Sequence, residues 1–120
     1  MASQGPTGIV RIIKAAGYSW QGLKAAYAYE EAFRQEILLA IITIPLGFYL
    51  GSNGIEKALL ISVILLILIT ELLNTGIEVI TDRVGTDHHE LSGRAKDIGS
   101  SAVCLSIINA ILVWVLVLIN

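Results

Sequence analysis

The sequence predicts an all-α integral membrane protein: an N-terminal amphipathic helix lying in the membrane interface, followed by three transmembrane helices. Three observations carry this reading. The 120-residue chain is 55% hydrophobic with a mean hydropathy of +0.76, too apolar for a soluble domain of its length. Its apolar residues fall in long runs, and the stretch from Ala58 to Thr70 carries no charge at all, as a hydrocarbon-spanning segment requires. Its charges gather at the ends of those runs instead of alternating along them.

Each element follows from local pattern. Residues 1–8 are small and polar with Gly5-Pro6 and read as loose. Over 9–29, Ile9, Ile13, Ala16, Trp20, Leu23 and Tyr27 share one helical face, while Arg11, Lys14, Gln21 and Lys24 share the other. A basic face opposite an aromatic-bearing apolar face suits a helix lying in the membrane interface; packing on the protein's own bundle is the alternative. The first span is 33–50, with Arg34, Gln35 and Glu36 in a charged first turn that must reach the headgroups, and Pro45 a possible kink. Gly51-Ser-Asn-Gly54 is a turn signal. The second span is 58–80 and the third 98–119, separated by a polar loop over 81–97. The first span is expected to act as its own insertion signal. The single cysteine, Cys104, has no intrachain partner and reads as a small packing residue.

Three spans put the two ends on opposite sides of a membrane. Seven of the eight Lys and Arg residues lie on the side shared by the N-terminus and the 81–97 loop, all but Lys57. That side is therefore expected to be cytoplasmic. The net charge of −2 says little, because the distribution of the charges carries the information; no nucleic-acid partner is expected.

The informative residues lie on the second span. Glu71 follows the uncharged run, and Asn74, Thr75, Glu78 and Asp82 fall within about 60° of it on a helical projection. An acid inside the hydrocarbon is costly unless protonated, paired or hydrated, and such acids are mostly functional; the alternative is interhelical hydrogen-bonding by Asn74 and Thr75 around a protonated Glu71. With the cytoplasmic side assigned, Glu71 sits about two-thirds of the way to the cytoplasm and Glu78 two turns further, near the boundary.

The third span begins with Lys96-Asp97, opposite the Glu78 end of the second. A lysine facing carboxylates at a water boundary suits a metal–phosphate complex, the lysine meeting phosphate and the carboxylates Mg²⁺. Glu30, ending the amphipathic helix, is a further carboxylate. His88-His89 is weak evidence for a protein-only metal site. Neither a Walker A motif nor a kinase-type glycine loop is present.

Glu71-Leu-Leu-Asn-Thr-Gly-Ile-Glu78-Val-Ile-Thr-Asp82-Arg-Val-Gly, followed by His89-Glu-Leu-Ser-Gly-Arg-Ala-Lys96-Asp97, closely resembles the prokaryotic diacylglycerol kinase family of Gram-negative type. The segments from Arg11 to Leu23 and from Glu30 to Glu36 share the resemblance, which covers nearly the whole chain. It implies a homotrimeric enzyme of the bacterial inner membrane that moves the γ-phosphate of MgATP onto diacylglycerol to give phosphatidic acid. It also implies Glu71 as general base, Glu30 and Glu78 as metal ligands, and Lys96 and Asp97 on the ATP phosphates. Arg11, Tyr18, Asp87 and His89 would line the nucleotide site. Arg11, Ala16, Trp20, Glu36 and Ser100 would lie along the lipid path, with Asn74 and Asp82 orienting their neighbours. His88 departs from the aromatic residue that the resemblance leads one to expect.

The residues support this chemistry on their own terms. A lipid hydroxyl does not leave the membrane cheaply and ATP does not enter it, so the reaction must straddle the boundary, as Glu71 and Glu78 do. Three spans cannot enclose Glu71, so an oligomer is expected on burial grounds alone. The competing readings are an undecaprenol kinase and, from another class, a small proton-coupled multidrug transporter. The transporter needs four spans and no carboxylate–lysine cluster.

Overall fold

The computed structural model describes residues 7–120; the first six residues, in the segment expected to be loose, lie outside the described residues. Among the described residues four α-helices form: α1 (Gly8–Tyr29), α2 (Glu31–Leu50), α3 (Gly54–Val84) and α4 (Glu90–Leu118). They divide into two compact units that part after Glu31.

The first unit is essentially α1. It starts at Gly8, whose φ of +64° lies in the left-handed region that glycine tolerates without strain. Ile9, Ile13 and Trp20 are all more than 60% exposed. Lys24 Nζ, one turn after Trp20, stands 5.8 Å from the indole centroid in a cation–π contact. The helix ends where Glu30 turns extended and donates its N–H to Ala26 O at 2.9 Å.

The second unit is an antiparallel bundle of α2, α3 and α4. All three are long and apolar enough to cross a membrane. α2 runs unbroken through Pro45. Reciprocal caps start α3: Asn53 Oδ1 accepts from Glu56 N–H at 2.9 Å, and Glu56 Oε1 accepts from the N–H of Ser52, just before the cap, at 2.9 Å. At 31 and 29 residues, α3 and α4 are each about 45 Å long and outreach a ~30 Å hydrocarbon layer. Both exceed the expected spans. The loop expected over 81–97 shrinks to residues 85–89, because α3 continues to Val84 and His89 caps α4, its Nδ1 accepting from Leu91 N–H at 3.0 Å.

Three side-chain contacts tie α3 to α4 along their length. Trp114 Nε1 donates to Leu60 O at 3.0 Å, Thr70 Oγ1 donates to Ser106 Oγ at 3.0 Å, and Lys96 Nζ pairs with Asp82 Oδ1 at 2.7 Å. Between them sits the core of Ala40, Val63, Ile64, Ile67 and Ala110. Small residues set the close approach, as is usual where lipid supplies no hydrophobic drive. A Cβ on Gly47 would already stand 3.2 Å from Leu60 Cβ. Cys104, expected to pack, is instead exposed.

Candidate active site

The polar stripe of α3 faces its neighbours. Glu71 is buried at 5% exposure, Asn74, Thr75 and Glu78 are half-buried, and Asp82 is open to solvent. Helical periodicity and depth in the bundle together produce this gradient. The 3.6-residue repeat keeps all five on the packed side, and distance from the bundle centre sets how much each is covered.

At the buried end, the Glu71 carboxyl meets the carboxyl of Glu36 from α2. Glu36 was expected in a charged turn reaching toward the headgroups; instead it points inward, and its Oε1 is buried without a hydrogen-bond partner among the described residues. The cause is packing: the buried residues of α2 are Phe33, Ala40 and Gly47, and Glu36 stands one turn from the first two on the face turned to α3. An apolar cavity of about 430 Å³ opens beside Glu36, walled by Leu39, Ile64, Ile67, Ala110 and Trp114.

One turn on, Asn74 Nδ2 donates to Glu78 Oε1 at 3.3 Å. Beyond Glu78, the ends of α3 and α4 enclose a polar cavity of about 290 Å³ lined by Asp82, Asp87, His89, Ser92 and Lys96. Lys96 precedes the apolar part of α4. The hydrogen bond that Lys96 donates to Asp82 raises its ammonium pKa above the ordinary value, with the charges of Asp82 and Glu78 adding to the effect against a smaller lowering by burial.

The structure therefore joins Glu71 with Glu36, Glu78 with Asn74, and Lys96 with Asp82, Asp87 and His89. Asp97 does not share the Lys96 cavity. It lines an adjoining concavity of about 450 Å³ with Arg94 and Ser101, and His88, His89 and Gly93 border both. Ser100 is exposed. On α1, Arg11, Ala16, Tyr18 and Trp20 are exposed, with Arg11 and Tyr18 two turns apart on one face, and Glu30 is half-buried at its end.

Among the described residues no three His, Cys, Asp or Glu side chains gather around a point that could hold a metal. Mg²⁺ is commonly held by one or two carboxylates together with substrate phosphate and water. The half-buried carboxylate of Glu78, steadied by an amide and close to a lysine-lined cavity, is an oxygen donor that fits such a complex.

Residues 17–118 match the family described as prokaryotic diacylglycerol kinase. The chain is 50% identical over 112 residues to a diacylglycerol kinase of Escherichia coli K12, covering 93% of this chain and 92% of that protein. It is 50% identical over 108 residues to one of Haemophilus influenzae, covering 90% and 92%. It is 45% identical over 117 residues to one of Pseudomonas aeruginosa, covering 98% and 95%. The chain belongs to the prokaryotic diacylglycerol kinase family. In this diacylglycerol kinase family member, two features of the site carry no periodic signal in the sequence: the Glu36–Glu71 meeting, and the approach of Gly99 to Asn74. Both depend on how one helix is rotated against the next.

Proposed function

We propose that the chain transfers the γ-phosphate of ATP to the free hydroxyl of 1,2-diacylglycerol, giving phosphatidic acid, at the cytoplasmic face of a bacterial inner membrane. The observation that carries this is the gradient on α3: an acid buried within a membrane-length helix, a second acid two turns away, and a lysine-lined polar cavity beyond it. A buried acid meets a hydroxyl that stays in the membrane; a polar cavity meets phosphates that stay out of it.

Glu71 accepts the proton of the lipid hydroxyl as the hydroxyl oxygen bonds to the γ-phosphorus. The bond from that phosphorus to the β–γ bridging oxygen breaks, and ADP leaves with the electron pair. Lys96 neutralises phosphate charge, and Asp82 holds its ammonium in place. Glu78 and Glu30 would hold Mg²⁺, which when bound with ATP lowers the charge that the transferring group must carry. Asp87, His89 and Asp97, with Arg11 and Tyr18 of α1, bind the nucleotide. Ala16, Trp20, Glu36 and Ser100 border the lipid path.

The exposed apolar residues of α1, opposite its basic face, suit a helix lying in the cytoplasmic interface. Glu71 is 5% exposed within a single chain, so its burial does not itself require the expected oligomer. The exposed Leu and Ile residues of α2 to α4 suit lipid as well as protein; the homotrimer with shared sites rests on the family resemblance.

The test supplies purified enzyme in lipid micelles with ATP labelled at the γ-phosphate, offering diacylglycerol and undecaprenol separately. Label in phosphatidic acid is the expected result. Label only in undecaprenyl phosphate assigns a different lipid, and label in neither product removes the kinase reading.

A further inference from the structure

Gly99 is buried on α4, directly opposite Asn74 on α3. A Cβ placed on Gly99 would collide with Asn74 Oδ1 and stand 3.3 Å from Asn74 Cγ; the next neighbour, Ile77 Cδ1 at 3.6 Å, is in ordinary contact. The clash is thus with the end of one side chain, and the backbone of α3 is not involved. Asn74 Oδ1 is buried there and accepts no hydrogen bond among the described residues, so no polar partner draws the amide to this spot. What the position achieves lies at the other end of the amide, where Nδ2 donates to Glu78 Oε1 at 3.3 Å.

We infer that Gly99 is a positioning residue: its missing side chain makes the recess in which the Asn74 amide lies, and that amide aims Glu78 for divalent-cation binding. A buried carbonyl oxygen without a donor is costly, and one that persists beside a functional carboxylate marks a constraint imposed by the site. Glycine also costs stability inside a helix relative to alanine, so an alanine here would favour α4 while disturbing Asn74. Local helix preference and the site pull in opposite directions, as is common where function sets the residue. The inference rests on the reading of Glu78 as a metal ligand.

The experiment uses the full-length enzyme in micelles and reads two quantities: Mn²⁺ binding by electron paramagnetic resonance, and the Mg²⁺ concentration for half-maximal rate. Groups that orient a metal ligand are worth about 10- to 100-fold in metal affinity, and Gly99→Ala is expected to weaken both readouts by roughly that factor. The KM for diacylglycerol should move less than about twofold, since the lipid side of the site is untouched. In an Asn74→Ala background Gly99→Ala should have no further effect, because the atom it displaces is gone.

Wild-type Mn²⁺ and Mg²⁺ responses in Gly99→Ala overturn the inference, as does an equal effect with and without Asn74. Should Gly99→Ala alone fail to fold, the double variant decides. Recovery of folding with the metal affinity of Asn74→Ala supports the contact, and continued misfolding rejects it. Glu78→Gln separates the two levels: if it binds Mn²⁺ as the wild type does, the metal reading of Glu78 is wrong. If it loses Mn²⁺ while Gly99→Ala does not, only the role given to Gly99 fails.

Discussion

Lys96 of α4 and Asp82 of α3 form an ion pair, Nζ to Oδ1 at 2.7 Å, with side chains 42% and 57% exposed. So open a pair contributes little to stability; its use is to hold the ammonium at the mouth of the polar cavity. Lys96→Met should raise the KM for ATP about 10- to 100-fold, the value of hydrogen bonds to a charged partner. Asp82→Asn should raise it only a few-fold, because the lysine remains. Thermal unfolding should hardly change in either variant. The pair raises the Lys96 pKa from its ordinary 10.5, so its favourable contribution is complete below that value and fades only as pH climbs through the higher folded one. An ATP-affinity loss between about pH 7 and 9 would therefore belong to another group.

Two glycines flanking the same turn should respond unequally to alanine. At Gly51 a Cβ would stand 2.6 Å from Lys57 Cγ, 2.8 Å from its N and 3.0 Å from its Cα, so the backbone itself must move. At Gly54 no such atom lies within 4 Å. Gly51→Ala is expected to destabilise by about 1–3 kcal/mol, as overpacking does, and Gly54→Ala to stay within about 0.5 kcal/mol. Reversible unfolding in mixed micelles compares them directly.

What the sequence disclosed tracks what a single helix determines. The stripe from Glu71 to Asp82 was legible because one helix's period places all its members. The start of α4 was not, because the charged stretch from Glu90 to Asp97 reads as loop until His89 is known to cap it. That shift has a chemical consequence. In a helix neighbours point about 100° apart, so Lys96 and Asp97 line two adjoining concavities, with His88, His89 and Gly93 common to both. The residues alone did not give the inward direction of Glu36 for a related reason: it is set by the packing of α2 on α3, which one helix's pattern does not contain.

Glu36 should show a conflict between stability and turnover. Its Oε1 is buried without a partner, its carboxyl faces that of Glu71, and its cavity is walled by Leu39, Ile64 and Ile67. A buried unsatisfied polar atom costs about 1–3 kcal/mol, and Glu36→Leu is expected to stabilise the protein by less than that, because it also removes the hydrogen bond to buried Glu71, while lowering kcat. Unfolding midpoints and turnover from the same preparation test this. A variant that is both less stable and fully active would show that Glu36 contributes packing alone.

Glu71→Gln tests the division of labour along α3 most directly. The amide keeps the size of the side chain in its buried setting but accepts no proton, so the chemical step should slow about 10²- to 10⁴-fold, the usual worth of a general base. Nucleotide binding should persist, because Glu78 lies two turns away, roughly 10 Å along the helix. Glu78→Gln should do the reverse, demanding more Mg²⁺ while retaining turnover at saturation. The pair of outcomes matters more than either alone. Proton acceptance and metal binding on separate turns predict that kcat and the Mg²⁺ requirement move independently, whereas one shared carboxylate site would move them together. Isothermal titration with MgATP and steady-state rates across a Mg²⁺ series distinguish the two, and near-normal turnover in Glu71→Gln would remove Glu71 as the base.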